Sequence, residues 1–395
     1  MKNIIKSLLV PALALAVMPL MTSCDTDTDS NPTLQQPTTF VLNTPPYSGN
    51  VYDLANSSTV NFTTSQPDYG FPVVTTYEVQ VSLDERLASV ASVEVPDDIA
   101  YITLEPDEQG HQAKIGVDAV AFNNAVVNMY QRANNGADPS GKEIDIYVRL
   151  VAHVAGDTAD FGWCYSNTIK MSVVVSYVAT LPTEIFVAGP SIHGGADAKE
   201  LGAVYDMAGE FYGMVYMSAG ANLTWGDASD NVTNGYSATT SVVDEANAGL
   251  SGTDNITFAN AGWYALHLKT TIEDNSVRST LTVYPGTAYV TGAVAGDVWN
   301  DPNTGWELTP PADASGEWVS PAFAGSGELR AFIKIPGLDW WRTEFTLYNG
   351  ALYWRDANIV SSWAENVGSA YSVSCTTGQR LYVDFDHDRG EVRDN

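Results

Sequence analysis

Basic residues are scarce in this chain of 395 residues: Lys and Arg number 18 against 47 Asp and Glu, so the formal net charge is −29. Recognition of nucleic-acid phosphates needs a basic surface, and an anionic membrane surface repels an acidic protein. The charge balance therefore excludes electrostatic binding to DNA or RNA. Cysteine is almost absent, with three residues, and the five histidines are scattered, so neither a metal site nor a disulfide framework is indicated.

Enzyme signatures are also missing. The chain has no G-x-S-x-G nucleophile turn, no phosphate-binding loop and no H-E-x-x-H pair. We therefore predict a protein without catalytic activity and without a cofactor. The acidic run Asp384–Asp388 begins like a calcium loop, but Arg389 and Asn395 stand where that loop needs Gly and Glu. A hairpin turn is the interpretation there.

Long hydrophobic runs are absent as well. Lys2 and Lys6 precede an apolar stretch from Leu8 to Met21, which two prolines interrupt and which is too short for a membrane-spanning helix. The stretch ends in Thr22-Ser23-Cys24, which resembles the lipobox of bacterial lipoproteins. We predict a signal peptide over 1–23, acylation of Cys24 and an acidic, flexible tether over 24–37. The acidic run after Cys24 resembles the surface-export signal of Bacteroidetes lipoproteins.

What is plentiful favours an all-β fold in two or three domains: the chain has 32 Gly, 20 Tyr and 10 Trp, and it lacks long Lys/Glu-rich helical stretches. We predict a first domain over 38–179, an immunoglobulin-like or fibronectin-like sandwich with one short helix. Its strands show alternating apolar and polar residues, and Asp118 is a plausible N-cap for the helix, which stops at Asn134-Asn135-Gly136. The predicted strands include Val60–Phe62, Tyr77–Val81, Ile144–Leu150 and Ile169–Val178.

The rest of the chain repeats a pattern at a period of about 105 residues, which suits two copies of one β-sandwich. Ile185–Gly189 and Ala288–Gly292 are each a short apolar strand that ends at glycine, and each copy closes with a strand led by glycine. We predict modules over 181–285 and 286–395. Cys164 and Cys375 then fall in different domains, which argues against a disulfide between them.

Tryptophan is concentrated in the last module, which holds seven of the ten. Burying that many indoles in one small domain is difficult, so some are expected on the surface, where an indole stacks on the apolar face of a sugar ring. For any single Trp, packing in the core is the alternative. If the surrounding segments are strands, alternation turns Trp340, Arg342, Tyr353 and Arg355 outward and Trp341 inward. Trp299 and Trp306 flank a loop rich in Gly, Pro and Asn and are expected to be exposed.

These features together resemble the SusE/SusF family of Bacteroidetes outer-membrane starch-binding lipoproteins. The resemblance covers nearly the whole chain and rests on short motifs: the Cys24 lipobox with its acidic tail, Tyr77–Ser82, Val117–Ala119, Tyr165–Asn167, the two strand–Gly openings, Gly305-Trp306 and Phe332–Lys334. It implies a non-catalytic protein, anchored by lipid to the outer membrane and exposed at the cell surface. The implied role is to hold polysaccharide beside a SusC-like, TonB-dependent porin and a SusD-like lipoprotein.

The resemblance also implies which residues bind glycan. Trp306 matches the first platform tryptophan of the family, Lys334 and Arg355 match its basic residues, and either Trp340 or Trp341 matches the second tryptophan. Alternation favours Trp340, and spacing favours Trp341. The module over 181–285 lacks the Gly-Trp pair and the lysine, so its glycan site is expected to be degenerate. The secondary candidates are Trp299, Arg342, Tyr353, Trp225 and Lys269.

Two alternatives from other classes make different predictions. A structural or adhesive lipoprotein that binds a protein partner would expose its aromatic residues as one flat patch. A glycoside hydrolase would place two carboxylates about 5–10 Å apart beside the tryptophans.

Overall fold

The structure is a computed structural model that describes residues 33–46, 49–89, 97–107, 113–156 and 162–394. The predicted signal peptide, Cys24 and the start of the predicted tether lie outside these ranges. Internal contacts divide the chain into two compact units, one ending at Val178 and the other beginning at Ala179. No helix in the described ranges is long and apolar enough to cross a membrane.

The first unit is built mainly of strands, which we number in chain order. They are β1 Tyr52–Asp53, β2 Thr59–Thr63, β3 Thr75–Ser82, β4 Ile102–Leu104, β5 Lys114–Asp118, β6 Glu143–Val154, β7 Cys164–Tyr165 and β8 Ile169–Val175. Its helices are α1 Arg86–Ser89 and α2 Ala119–Ala133.

Two sheets of the first unit share one hydrophobic core. The larger runs in the order β1-β8-β6-β3-β4, with β7 beside β6, and β2 pairs with β5 to form the smaller one. Alternating residues such as Val79 and Val148 point inward from the large sheet and meet Phe62 from the small one. Helix α2 closes the core with Phe122, Val126 and Met129. The predicted caps of α2 are confirmed: the Asp118 side chain accepts a hydrogen bond from the Ala121 amide, and Asn134 ends the helix.

The second unit continues the strand numbering. Its first half contains β9 Phe186–Ala188, β10 Lys199–Glu200, β11 Gly202–Ala203, β12 Glu210–Met217, β13 Ala221–Gly226, β14 Ser241–Asp244, β15 Leu250–Ser251, β16 Ile256–Phe258, β17 Gly262–Glu273 and β18 Ser276–Pro285. Its second half contains β19 Ala288–Val290, β20 Trp318–Val319, β21 Gly327–Glu328, β22 Ala331–Ile333, β23 Glu344–Tyr348, β24 Ala351–Trp354, helix α3 Trp363–Asn366, β25 Ser374–Cys375, β26 Arg380–Asp384 and β27 Arg389–Arg393. Four 3-10 helices lie between strands, at His193–Gly195, Ala293–Ala295, Trp340–Thr343 and Ser369–Tyr371.

Strand pairing in the second unit follows the repeat seen in the sequence. In the first half the opening strand, β9, pairs antiparallel with β13. In the second half the opening strand, β19, pairs antiparallel with β22. The later pairing of β12 with β17 corresponds to that of β20 with β26. Each half closes with a hairpin, β17–β18 and β26–β27. The turn of the second hairpin is the Asp384–Asp388 run, which was predicted to be a turn.

The two halves of the second unit are joined by a common core. One hydrophobic cluster lies within the first half, around Val187, Leu223 and Leu266. The other belongs mainly to the second half but includes Tyr212 and Met214 of β12. The division predicted after residue 285 thus lies inside one compact unit, and it stays a prediction. The described chain is predominantly β-structure, as expected, and its two described cysteines, Cys164 and Cys375, are buried and free.

Candidate functional site

An aromatic pocket opens on the loops of the second half of this unit. It encloses about 440 Å³, and three indole rings form much of its wall. The lining residues are Trp299, Arg330, Trp340, Trp341, Arg355, Asn358, Ile359, Val360 and Ser361. We call this site the aromatic pocket. Four of the residues singled out from the sequence meet here: Trp299, Trp340, Trp341 and Arg355.

Trp340 and Trp341 reach the pocket together because the chain forms a 3-10 helix over Trp340–Thr343 directly before β23. The Thr343 hydroxyl donates a hydrogen bond to the Ile333 carbonyl at 2.6 Å and so fixes the helix against β22. The expectation that Trp340 and Trp341 alternate between surface and core is therefore wrong, because side-chain alternation requires a strand. Both rings are partly exposed and both line the site.

Trp299 comes from the loop after the 3-10 helix Ala293–Ala295, and 47% of its surface is exposed, as predicted. Its ring lies against the backbone of Gly292, where a Cβ atom would come within 2.6 Å of the indole. Gly292 also has a positive φ of 72°. Glycine is therefore needed at this position for two reasons: the turn requires a positive φ, and the Trp299 ring packs where a side chain would otherwise lie.

The rings of Trp299 and Trp340 make a bent surface. Their centroids are 5.6 Å apart and their planes are inclined at 42°. Phe332 supports Trp340 from behind at 6.1 Å. Two aromatic faces tilted in this way form a concave wall, which differs from the flat patch expected of a protein-binding surface.

Beneath the rings, two arginines share one buried carboxylate. Arg355 Nη1 donates a hydrogen bond to Glu344 Oε2 at 2.8 Å, and Arg330 Nη1 lies 3.3 Å from Glu344 Oε1. The Glu344 side chain is 0% exposed, and its burial raises the pKa of the carboxyl, while the two guanidinium groups act in the opposite direction. Arg355 was expected to point outward, but its side chain is buried because it pairs with Glu344.

The same two arginines contact both the indole rings and the loop that forms the opposite wall of the pocket. Arg330 lies over the Trp299 ring at 5.4 Å, and Arg355 lies over the Trp341 ring at the same distance. Arg355 also donates to the carbonyls of Ala357 and Ile359, and Arg330 donates to that of Ser361. Each arginine thus ties an indole to the loop that faces it. Arg330, Glu344 and Asn358 were not identified from the sequence, because single polar residues on short strands and loops carry no periodic signal.

Two residues matched through the family resemblance lie outside this lining. Lys334 pairs with Asp301 at 2.6 Å and donates to the Leu338 carbonyl at 3.2 Å. Trp306 is partly buried and packs against the hydrophobic cluster, so its expected exposure is only partial. The pocket and the family pattern therefore agree on the tryptophans of the 3-10 helix and on Arg355, and they differ on Trp306 and Lys334.

The secondary candidates have other roles. Trp225 is a core residue, 8% exposed, whose indole N–H donates to Thr239 Oγ1 at 2.8 Å, so its ring offers no face to a sugar. Lys269 is half-exposed and pairs with Glu210 at 3.0 Å. The Tyr353 hydroxyl donates to Asp356 at 2.7 Å. Arg342 lies over the Trp341 ring at 4.4 Å.

The first half of the unit has a concavity in the corresponding place. It lies between the loop after β9 and the loop after β13, whereas the aromatic pocket is lined by the loops after β19 and β22 and also by the loop after β24. Its lining consists of small and acidic residues, among them Gly189, Ala196, Asp197 and Asp230, and it contains no aromatic ring. That the glycan site of this module is degenerate stays a prediction. Within the described ranges, no group of three or more His, Cys, Asp or Glu could hold a metal ion.

A β-sandwich with an aromatic pocket on its loops is an arrangement typical of a ligand-binding module. Comparison with known proteins agrees: the family model described as "SusF/SusE starch specific CBMs" matches residues 287–391, and the one described as "SusE outer membrane protein" matches residues 26–150. The chain is therefore SusE/SusF-like over these two regions, as the resemblance predicted.

One curated relative is the outer membrane protein SusF of Bacteroides thetaiotaomicron, which is 27% identical over 283 residues. The match covers 64% of this chain and 56% of that relative, so the chain spans little more than half the length of the relative. The crystal structure of the same SusF superposes with a TM-score of 0.46 at 16% identity, over 87% of this chain and 97% of that one.

Proposed function

We propose that this protein is a non-catalytic, starch-binding component of a Sus-type polysaccharide-utilisation system in the outer membrane, and that glycan binds in the aromatic pocket. One observation carries the proposal. The Trp299 and Trp340 rings form a partly exposed, concave wall inside the region that matches a starch-specific carbohydrate-binding model.

The chemistry of the pocket suits a neutral sugar. Indole faces stack on the apolar C–H face of a pyranose, and the Asn358 amide on the same lining is able to bond to sugar hydroxyls. The Ser361 hydroxyl donates to Glu365 and is able to accept a hydrogen bond from a sugar hydroxyl. The arginines of the floor are engaged with Glu344 and with loop carbonyls. Their main contribution is then to hold the pocket in shape, and binding energy comes chiefly from the rings.

The inclination of the rings supports an α-linked glucan in particular. An α-1,4-glucan curves along its length, whereas a β-1,4-linked chain is extended and flat. A wall bent by 42° between neighbouring indoles follows a curved chain better than a flat one. The concave shape also favours glycan over the flat protein-binding patch of the adhesive alternative. The described lining includes no Asp or Glu, so it does not contain the carboxylate pair on which the hydrolase alternative depends.

The attachment and the partners of the protein complete the proposal. Acylation of Cys24 would anchor it to the outer membrane, with the acidic tether carrying it to the cell surface. A SusC-like porin and a SusD-like lipoprotein are the proposed neighbours that receive the bound glycan. The family described as SusE outer membrane protein, matched over residues 26–150, supports this placement. Trp306 and Lys334 stay as sequence-based predictions of further glycan contacts.

Affinity electrophoresis of the full chain through gels containing starch, with cellulose derivatives and xylan in parallel gels, tests the function. We expect starch to retard the unchanged chain. Trp299→Ala should reduce the free energy of starch binding by about 1–3 kcal/mol, the usual effect of truncating a stacking ring. Trp163→Ala is the matched control, because Trp163 is also an exposed indole, 36% accessible, but lies in the first unit. Unretarded migration of the unchanged chain in every gel would refute the proposal.

A further inference from the structure

A turn in the first half of the second unit contacts the wall of the aromatic pocket. Tyr205 and Asp206 lie between β11 and β12, in the module whose corresponding concavity contains no aromatic ring. The turn is held at its base by a hydrogen bond from the Val204 amide to the Glu210 carbonyl at 2.8 Å. Tyr205 is thus fixed to the sandwich edge and is separated from Trp341 by 136 positions in the sequence.

The backbone of this turn bonds to the 3-10 helix that carries the pocket tryptophans. The Tyr205 amide donates to the Arg342 carbonyl at 3.0 Å, and Arg342 Nη1 donates back to the Tyr205 carbonyl at 2.9 Å. A third bond runs from Arg342 Nη1 to the Asp206 carbonyl at 3.3 Å. These bonds fix the position of the 3-10 helix relative to the turn between β11 and β12.

The side chains add an aromatic contact on Trp341. The Tyr205 ring meets the Trp341 ring edge-on, with centroids 5.9 Å apart and planes at 67°. Arg355 lies over both rings, at 4.8 Å from Tyr205 and 5.4 Å from Trp341. Arg342 also lies over the Trp341 ring, at 4.4 Å. Trp341 is therefore enclosed by Tyr205 and two arginines, and its remaining surface lines the pocket.

We propose that Tyr205 is a positioning residue for Trp341, so that the first half of the second unit helps to set the affinity of the aromatic pocket in the second half. This inference rests on the proposed function. Tyr205 does not line the aromatic pocket, so it acts through Trp341 rather than by contact with glycan. Without the ring, Trp341 loses the edge contact that keeps it from turning away from the bound sugar.

The test measures affinity of the full chain for a linear maltooligosaccharide by calorimetry, together with the melting temperature. Tyr205→Ala is expected to weaken binding about three- to tenfold, in line with the strength of aromatic pairs. Tyr205→Phe keeps the ring and is expected to bind like the unchanged chain. Both variants keep the backbone bonds to Arg342, so they isolate the effect of the ring.

Tyr216→Ala is the matched control. Tyr216 meets Trp263 in the same unit with nearly the same geometry, centroids 5.6 Å apart and planes at 64°, but neither residue lines the pocket. It should lower the melting temperature about as much as Tyr205→Ala and leave affinity unchanged. Equal affinity of Tyr205→Ala and the unchanged chain would overturn this inference alone, as would equal weakening by Tyr216→Ala. Absence of binding by the unchanged chain would overturn the proposed function and this inference with it.

Discussion

Arg355 and Glu344 form a hydrogen-bonded ion pair, 2.8 Å long, between two side chains that are 5% and 0% exposed. A charge in such a place costs several kcal/mol of desolvation unless a partner offsets it. Arg330 also reaches Glu344, so this carboxylate is shared by two guanidinium groups beneath the pocket, and Glu328 lies 3.6 Å from Arg330 as its second partner. The pair therefore links the stability of the second unit to the shape of the site.

Glu344→Gln should destabilise the second unit by about 3–5 kcal/mol, because two buried cations would lose their shared anion. Urea unfolding of the full chain checks this value. Glu317→Gln is the control, since Glu317 pairs with Arg393 at 2.5 Å near the surface, where both side chains are more than a third exposed. An exposed pair is worth about 1 kcal/mol or less. Similar losses in the two variants would contradict the structural role given to Glu344.

Trp340→Ala should weaken starch binding about tenfold or more, and Trp306→Ala about twofold or less, because only Trp340 lines the aromatic pocket. Calorimetry with a maltooligosaccharide gives both values, and the melting temperature of each variant shows whether its fold is retained. The opposite ranking would favour the site predicted from the family pattern, centred on Trp306 and Lys334.

Trp225→Phe should lower stability by about 1–3 kcal/mol and leave starch affinity unchanged. The substitution removes a buried indole N–H and the 2.8 Å hydrogen bond that the Thr239 hydroxyl accepts from it, while that hydroxyl still donates to the Gly235 carbonyl at 2.7 Å. Thermal unfolding and affinity electrophoresis on the same preparation separate the two effects. A loss of affinity without a loss of stability would show that Trp225 contacts glycan after all.

Mild acid should destabilise the second unit through His267. Burial lowers the pKa of His267 below its ordinary value of 6.5, although Glu210 lies 2.9 Å from Nε2 and opposes the effect. As pH falls below 6.5, the unfolded chain binds a proton that the folded chain does not, so stability decreases until the folded-state pKa is passed. His267→Gln should flatten this part of the stability curve relative to the unchanged chain. Parallel curves for the two proteins between pH 7 and 5 would contradict the assignment.

Local signals predicted local structure well. Asp118 caps α2, Asn134 ends it, and the alternating segments around Val79 and Val148 are strands β3 and β6. Each of these follows from residues within a few positions of one another. The hairpin at Asp384–Asp388 was also predicted correctly, from turn-forming residues and from the mismatch to a calcium loop.

The site was predicted less completely because it depends on distant contacts. Strand alternation failed at Trp340 and Trp341, where the fold inserts a 3-10 helix before β23. It also failed at Arg355, whose burial depends on an anion eleven positions away, at Glu344. The concentration of tryptophan pointed to the right module, but the sequence alone did not distinguish core indoles such as Trp318 and Trp363 from the lining ones.

The close seat of Gly202 against Trp354 bears on how this protein can change over time. A Cβ atom at Gly202 would lie 3.1 Å from the indole, a tight contact that would require the Trp354 ring to move by a few tenths of an ångström. Duplicated modules are usually free to diverge, to be reordered or to be lost one at a time. Here Gly202 and Tyr205 of the first copy pack against Trp354 and Trp341 of the second. Selection for glycan binding by the second copy therefore also constrains the sequence of the first.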